Sequence, residues 1–209
     1  MFKKIKKAFN KKEKSSAKGV HYFTFYDGLN PLVKSVTDKI EGLRVERDRM
    51  IKDSLATESY LKKHYIKYKN LMKSIEPFQT RQVVVHNLVT TEGFNVLARI
   101  LAGDNTYTGN INYTALGTNN ASPVLGDTQL GTEVYRKAVS SASFIGSKAN
   151  IETFYTATEV NGSFEEYGNF IDGGVAPNTG RLFNRFTQTL IKSSTETLNV
   201  RSEITFSNA

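Results

Sequence analysis

The 209 residues are 39% hydrophobic and 23% charged, as expected of one or two folded domains, and include no cysteine, which excludes disulfides, thiol nucleophiles and thiolate metal sites. The formal net charge of +8 is uneven: residues 1–19 hold eight Lys and one Glu, residues 20–79 eleven basic and eight acidic residues, and residues 80–209 nine basic and eleven acidic. The basicity is an N-terminal tag, which argues against a nucleic-acid groove on the rest of the chain. No apolar run reaches the length of a membrane span, and no signal-peptide apolar region follows the lysines.

Residues 1–19 form a basic arm. Phe2, Ile5 and Phe9 recur at helical spacing among Lys3, Lys4, Lys6, Lys7, Lys11 and Lys12, giving one apolar and one cationic face. That pattern fits a docking or membrane-surface helix; the alternatives are a solubilising tail and a salt-sensitive contact with DNA or an acidic protein. Residues 14–19 read as a flexible joint, and residues 20–30 as an extended aromatic segment, Tyr22-Phe23-Thr24-Phe25-Tyr26, closed by Asp27-Gly28.

Residues 31–77 predict one long helix, capped by Asn30, started by Pro31 and stopped by Pro77. About 45 helical residues reach roughly 65–70 Å. Val36, Ile40, Leu43, Met50, Leu61, Tyr65, Tyr68, Met72 and Ile75 share one stripe, and an extra four-residue step from Ser54 to Glu58 reads as a stutter. Charges flank the stripe. A narrow seam on an isolated rod has only copies of itself to bury against, so the expectation is a homo-oligomeric stalk, taken as a trimer. Arg47 and Ser54 on the seam count against it, and the alternative is a helix folded back along its own β domain.

Residues 80–209 predict an antiparallel β-sandwich head with one short packed helix. Residues 82–89 look like a buried strand. Thr90 or Thr91 then caps a helix carrying Phe94, Val96, Leu97, Ile100 and Leu101, which Gly103 ends. Asn161-Gly162 is a strong two-residue hairpin signal and Gly146-Ser147 a weaker one. The last strand alternates Leu198, Val200, Ile204 and Phe206 against Asn199, Arg201, Glu203 and Thr205, with Ser202 interrupting the inward face. The expected fold class is therefore α+β: a long N-terminal, coiled-coil-like helix followed by an antiparallel β-sandwich.

No catalytic, cofactor-binding or metal-binding residues emerge. His21, His64 and His86 fall in three different elements, without helical metal-ligand spacing. Glu165 and Glu166 are adjacent in a strand, so they point to opposite faces and form no acid dyad. Asp104, Asp127 and Asp172 are turn residues. Tyr107, Tyr113, Tyr135, Tyr155 and Tyr167 are read as surface aromatics suited to contacting a glycan or protein, or as the ordinary exterior of a β-rich structural protein.

A series of landmarks runs through the second half. Ala115-Leu116-Gly117-Thr118 is followed by Ala121-Ser122-Pro123, Asp127-Thr128, Leu130, Glu133 and Arg136-Lys137. Then come Glu165-Glu166-Tyr167-Gly168, Leu182-Phe183-Asn184-Arg185, Lys192 and Ile204-Thr205-Phe206. In order and spacing these resemble a β-sandwich family of tailed-bacteriophage particles, the tail-fibre, appendage and baseplate-associated proteins. Asn119, where that family tends to have a second glycine, and Asn169-Phe170-Ile171 depart from the pattern. Gly117 is assigned a tight turn, Asp127 with Thr128 the holding of a loop through backbone N–H groups, and Glu133, Arg136 and Arg185 pairing across strands or between protomers. The resemblance implies a virion structural protein but does not extend to the first 75 residues; joined to the expected stalk, it gives a tail-fibre-like appendage for host attachment, anchored by its N-terminus and binding sister copies and other virion proteins. A head, neck or baseplate connector, decoration or assembly protein whose arm touches DNA or an acidic neighbour is the second reading. A binder of host-surface glycan or protein is the third.

Overall fold

Strand β1 (Ser15–Asp27) is hydrogen-bonded along its length to β9 (Glu196–Asn208) and, from Gly19 to Tyr26, to β2 (Gln79–Val89) on its other side. The computed structural model describes residues 15–208; the arm residues Phe2 to Lys12 lie outside them. The remaining strands are β3 (Ile111–Gly117), β4 (Glu133–Ala138), β5 (Ser141–Ile145), β6 (Lys148–Tyr155), β7 (Gly162–Ile171) and β8 (Arg181–Lys192). All pair antiparallel in one nine-stranded sheet, ordered β4-β3-β7-β8-β2-β1-β9-β6-β5. At β2 the sheet turns a corner, because residues 79–87 pair with β1 whereas only Leu88 and Val89 pair with β8. The sheet thus curls into a half-barrel, with Phe23, Phe25, Leu198 and Val200 facing Leu116, Tyr167, Phe186 and Leu190 across the core.

This corrects the expected fold class. Among the described residues there is no long N-terminal helix; the fold is sheet-rich with three short helices, α1 (Pro31–Lys52), α2 (Glu58–Ile75) and α3 (Thr91–Leu101). Nor does residue 80 begin a separate head, since the aromatic segment and residues 15–19 of the supposed joint lie in β1, inside the sheet. The reason is a matter of closure. Tyr26 is paired with Gln79, so the chain between them must leave the sheet and return to the same place, which a straight rod cannot do. The return is made where a stutter was expected. Ser54 adopts a left-handed φ of 57°, the Leu55 N–H donates to the Met50 carbonyl (2.8 Å), and Thr57 Oγ1 accepts from the Tyr60 N–H to cap α2.

Folded back, the stripe finds its mates within the chain. Val36 and Ile40 from α1 and Tyr68, Met72 and Ile75 from α2 are buried with Tyr26 and Phe154 of the sheet's outer face, and Leu43 packs at their margin. Met50, Leu61 and Tyr65 are half-buried. The seam is therefore intramolecular, and the self-associating stalk loses its basis. Arg47, awkward on an oligomer seam, is buried here with Nη1 donating to the Val139 carbonyl at 3.2 Å, and the His64 Nε2–H donates to the Leu43 carbonyl at 3.1 Å.

Other departures follow from the curl. Residues 156–161 carry the chain from β6 across to β7 on the other side of the core, so Asn161-Gly162 closes no hairpin; the weaker signal, Gly146-Ser147, joins β5 to β6. Tyr155 and Tyr167, expected outside, are wholly buried, their hydroxyls bonded to Thr114 Oγ1 (2.7 Å) and Asn169 Oδ1 (3.1 Å). Strand β2 is half exposed, because among the described residues nothing covers Val84 on its outer side. Helix α3, capped by Thr90 Oγ1 on the Gly93 N–H (3.0 Å), closes one end with Val96, Leu97 and Ile100 against Val89, Ile111, Ile171 and Phe183.

Two measurements check this packing. Ile40→Ala is expected to lower unfolding free energy by about 2–5 kcal/mol and Tyr68→Phe by about 1–2 kcal/mol in urea titrations. His21 lies wholly buried, bonded to Ser202 Oγ at 2.7 Å, and burial holds its imidazole at a pKa of about 3 against the ordinary 6.5. As pH falls through that window the unfolded chain takes up a proton that the folded chain does not. Stability from this group is therefore complete above about pH 6.5 and declines by about 1.4 kcal/mol per pH unit below it. His21→Gln is expected to remove that slope between about pH 6 and pH 4, measured by unfolding at each pH.

Candidate functional site

The landmark residues converge on the β3–β7–β8 part of the sheet. Glu166 on β7 is buried and accepts from Arg185 Nε (2.9 Å) on β8, and from the Thr132 (2.7 Å), Gly131 (2.9 Å) and Asn119 (3.3 Å) N–H groups. Arg185 Nη1 reaches on to Asp127 Oδ2 (3.0 Å), which also accepts from the Val124 N–H (3.0 Å). One carboxylate thus pins both ends of the 118–132 loop. Gly117 serves this by leaving space, not by a turn conformation: a Cβ there would lie 2.7 Å from Glu166 Cγ and closer still to its Oε1 and the Thr132 carbonyl. Thr128 stands exposed. Glu133 and Arg136 pair with each other on β4 (Nη2 to Oε2, 2.7 Å), and Arg136 Nη1 donates to the Gly174 and Thr179 carbonyls (both 3.0 Å), fixing the 172–180 loop. These charges make a structural device.

A different place presents unused polar groups. Alternation along β6 and β9 puts Tyr155, Leu198 and Val200 inside the half-barrel and Glu152, Phe154, Asn199 and Arg201 on the outer face. The hairpin covers Phe154 but stops short of the next positions, leaving a cleft of about 430 Å³ between α2 and the sheet. On its floor the Tyr68 hydroxyl donates to Asn199 Oδ1 (2.7 Å), and Asn199 Nδ2 donates to Glu152 Oε2 (3.0 Å). Glu152 is 1% exposed, yet its Oε1 has no hydrogen-bond partner; the Lys69 ammonium stands 3.8 Å away, beyond hydrogen-bond reach. Arg201 Nε is likewise buried without a partner, its guanidinium lying 4.4 Å over the Tyr22 ring. Burial, and next the charge of Glu152, raise the Tyr26 and Tyr68 hydroxyls well above the ordinary tyrosine value, so both remain donors at neutral pH. Gln79, Gln82, Asn70 and Lys73 form the rim.

The residues that build this cleft carried no sequence signal of their own. The last strand's alternation placed Asn199 and Arg201 outward, but only a folded-back hairpin makes that face a cleft. No group of three or more His, Cys, Asp or Glu side chains able to hold a metal occurs among the described residues, and no described helix is long and apolar enough to cross a membrane. The chain matches no protein-family model, no curated protein and no solved structure.

The cluster is checked by neighbouring substitutions. Glu166→Ala leaves buried Arg185 with Asp127 alone and strands three N–H groups, and is expected to lower unfolding free energy by about 3–5 kcal/mol. Glu165→Ala, one position away on the more open face, is expected to change it by under about 0.5 kcal/mol. Urea unfolding of both variants reads the difference.

Proposed function

We propose that this chain is a structural protein of a tailed-bacteriophage particle, acting through contacts with other virion proteins and not through catalysis. The observation that carries the reading is the meeting of the scattered landmarks (Gly117, Asp127, Glu133, Arg136, Glu166 and Arg185) in adjoining clusters that hold two loops on one side of the sheet. Residues spread over some seventy positions that serve one piece of architecture support that resemblance.

The hairpin favours one kind of particle protein over another. A projecting fibre needs reach, and the segment that would have supplied it is folded onto the body. A head, neck or baseplate connector or decoration needs a compact block with a basic docking sequence, which matches a half-barrel preceded by a lysine-rich segment. That segment's partner on this reading is an acidic virion neighbour or packaged DNA.

Peptide mass spectrometry and immunogold labelling of purified particles test it, using particles from the strain that carries the gene. The protein is expected in the particles, labelled at one discrete place. Recovery only from the particle-free lysate would contradict the reading. Removing residues 1–14, which leaves β1 whole, is expected to release the protein from particles without lowering its melting temperature.

A further inference from the structure

We infer that the cleft beneath α2 binds a polyhydroxylated saccharide, with a sugar hydroxyl donating to Glu152 Oε1 while its oxygen accepts from Arg201 Nε or a lysine ammonium. The inference does not depend on where the protein resides, and it stands or falls separately from the particle reading.

The argument runs by exclusion of ligand chemistries. A buried carboxylate oxygen without a donor carries an unrelieved desolvation penalty, which a ligand or water relieves. A metal cation or ammonium would satisfy it, but would meet Lys69, Lys73 and Arg201 at the same opening. A simple anion would meet cations already near carboxylates, Lys69 at 3.8 Å from Glu152 and Arg201 at 3.5 Å from Glu203, and would press against the buried Glu152 oxygen. An apolar ligand would satisfy neither. A hydroxyl both donates and accepts, so adjacent hydroxyls on one ring can answer an orphan acceptor and an orphan donor together. The surroundings suit this. Three amides, Asn70, Gln79 and Gln82, stand at the rim, and Gln82 Nε2–H is fixed to Thr24 Oγ1 at 2.8 Å, leaving its carbonyl oxygen as an acceptor. Tyr26 adds a hydroxyl, and the volume of about 430 Å³ is within the range of small-ligand sites. The floor is also held in place: the Tyr68–Asn199–Glu152 chain fixes the carboxylate through its other oxygen, so binding requires movement only of the side chains over Oε1, among them the more exposed Lys69 at 3.8 Å.

The test titrates the full-length, nitrogen-15-labelled chain with glucose, galactose, N-acetylglucosamine, rhamnose and glucuronate at millimolar concentration, with glycerol as a control polyol. Side-chain amide resonances of Asn70, Gln79, Gln82 and Asn199 are expected to shift with at least one sugar and not with glycerol. Glu152→Gln keeps the bond to Asn199 but presents an NH2 where the ligand needs an acceptor, and is expected to weaken binding at least about tenfold. Gln79→Ala, on the exposed rim, is expected to weaken it about two- to fivefold with an unchanged melting temperature, and gives a reading even if the floor variant folds poorly. No shift with any sugar, shifts shared with glycerol, or undiminished binding by both variants would overturn the proposal. A glycan array then separates the sources: tighter binding to extended glycans than to the free sugar identifies a surface polysaccharide, and equal binding a free saccharide.

Discussion

The structure depends on β1 being held between two partners. Its thirteen residues are paired with β9 on one side and, over most of their length, with β2 on the other, which fixes the positions of Asp27 and Gln79 side by side. Everything between them must form a closed excursion. Two helices of 22 and 18 residues joined by a short turn satisfy that constraint and lay their apolar stripes on the sheet's outer face around Tyr26 and Phe154. Helical propensity and stripe spacing are the same for a rod and for a hairpin; strand pairing far along the chain chooses between them.

Polar ties then fix the hairpin's seating. Lys137 Nζ on β4 donates to Glu41 of α1 (2.8 Å) and to Glu159 of the β6–β7 connection (2.6 Å), joining helix, strand and loop at one ammonium. Burial alone would raise the Glu159 carboxyl, but the bonds from Lys137, the Thr156 N–H and the Tyr135 hydroxyl bring it below the ordinary range, so it stays charged and holds all three. From the middle of α2, Tyr68 is tied to Asn199 and through it to Glu152. Buried pairs of this kind contribute little net stability against an apolar replacement but penalise any other arrangement severely, so they select one seating of the helices on the sheet. The seating leaves the cleft, with the Tyr68–Asn199–Glu152 tie along its floor.

Much of the local structure was legible in the sequence. Asn30 and Pro31 opening α1, Thr90 and Gly103 bounding α3, and the alternation of the last strand all rest on interactions within a few residues. What was hidden is decided at long range. The step at residues 54–58 reads equally as a stutter or as a turn, and only the pairing of Tyr26 with Gln79 distinguishes them. Asn161-Gly162 has the chemistry of a tight hairpin, yet β6 and β7 belong to opposite sides of the curl. Tyr155 and Tyr167 looked like surface aromatics because Thr114 and Asn169, the partners that let their hydroxyls be buried, are distant in sequence or unremarkable in type. The cleft was invisible for the same reason, since its floor comes from β6 and β9 and its wall from α2.

The most direct test of the closed excursion is a distance across it. The chain has no cysteine, so Lys34→Cys with Lys73→Cys, both at exposed positions, gives a single pair of spin labels. Antiparallel packed helices, with axes about 8–10 Å apart, predict a pulsed electron-spin distance of roughly 20 Å that is unchanged on dilution with unlabelled chain. A distance of roughly 60 Å, the span of a continuous helix between those residues, or a short distance that disappears on dilution, would contradict the account.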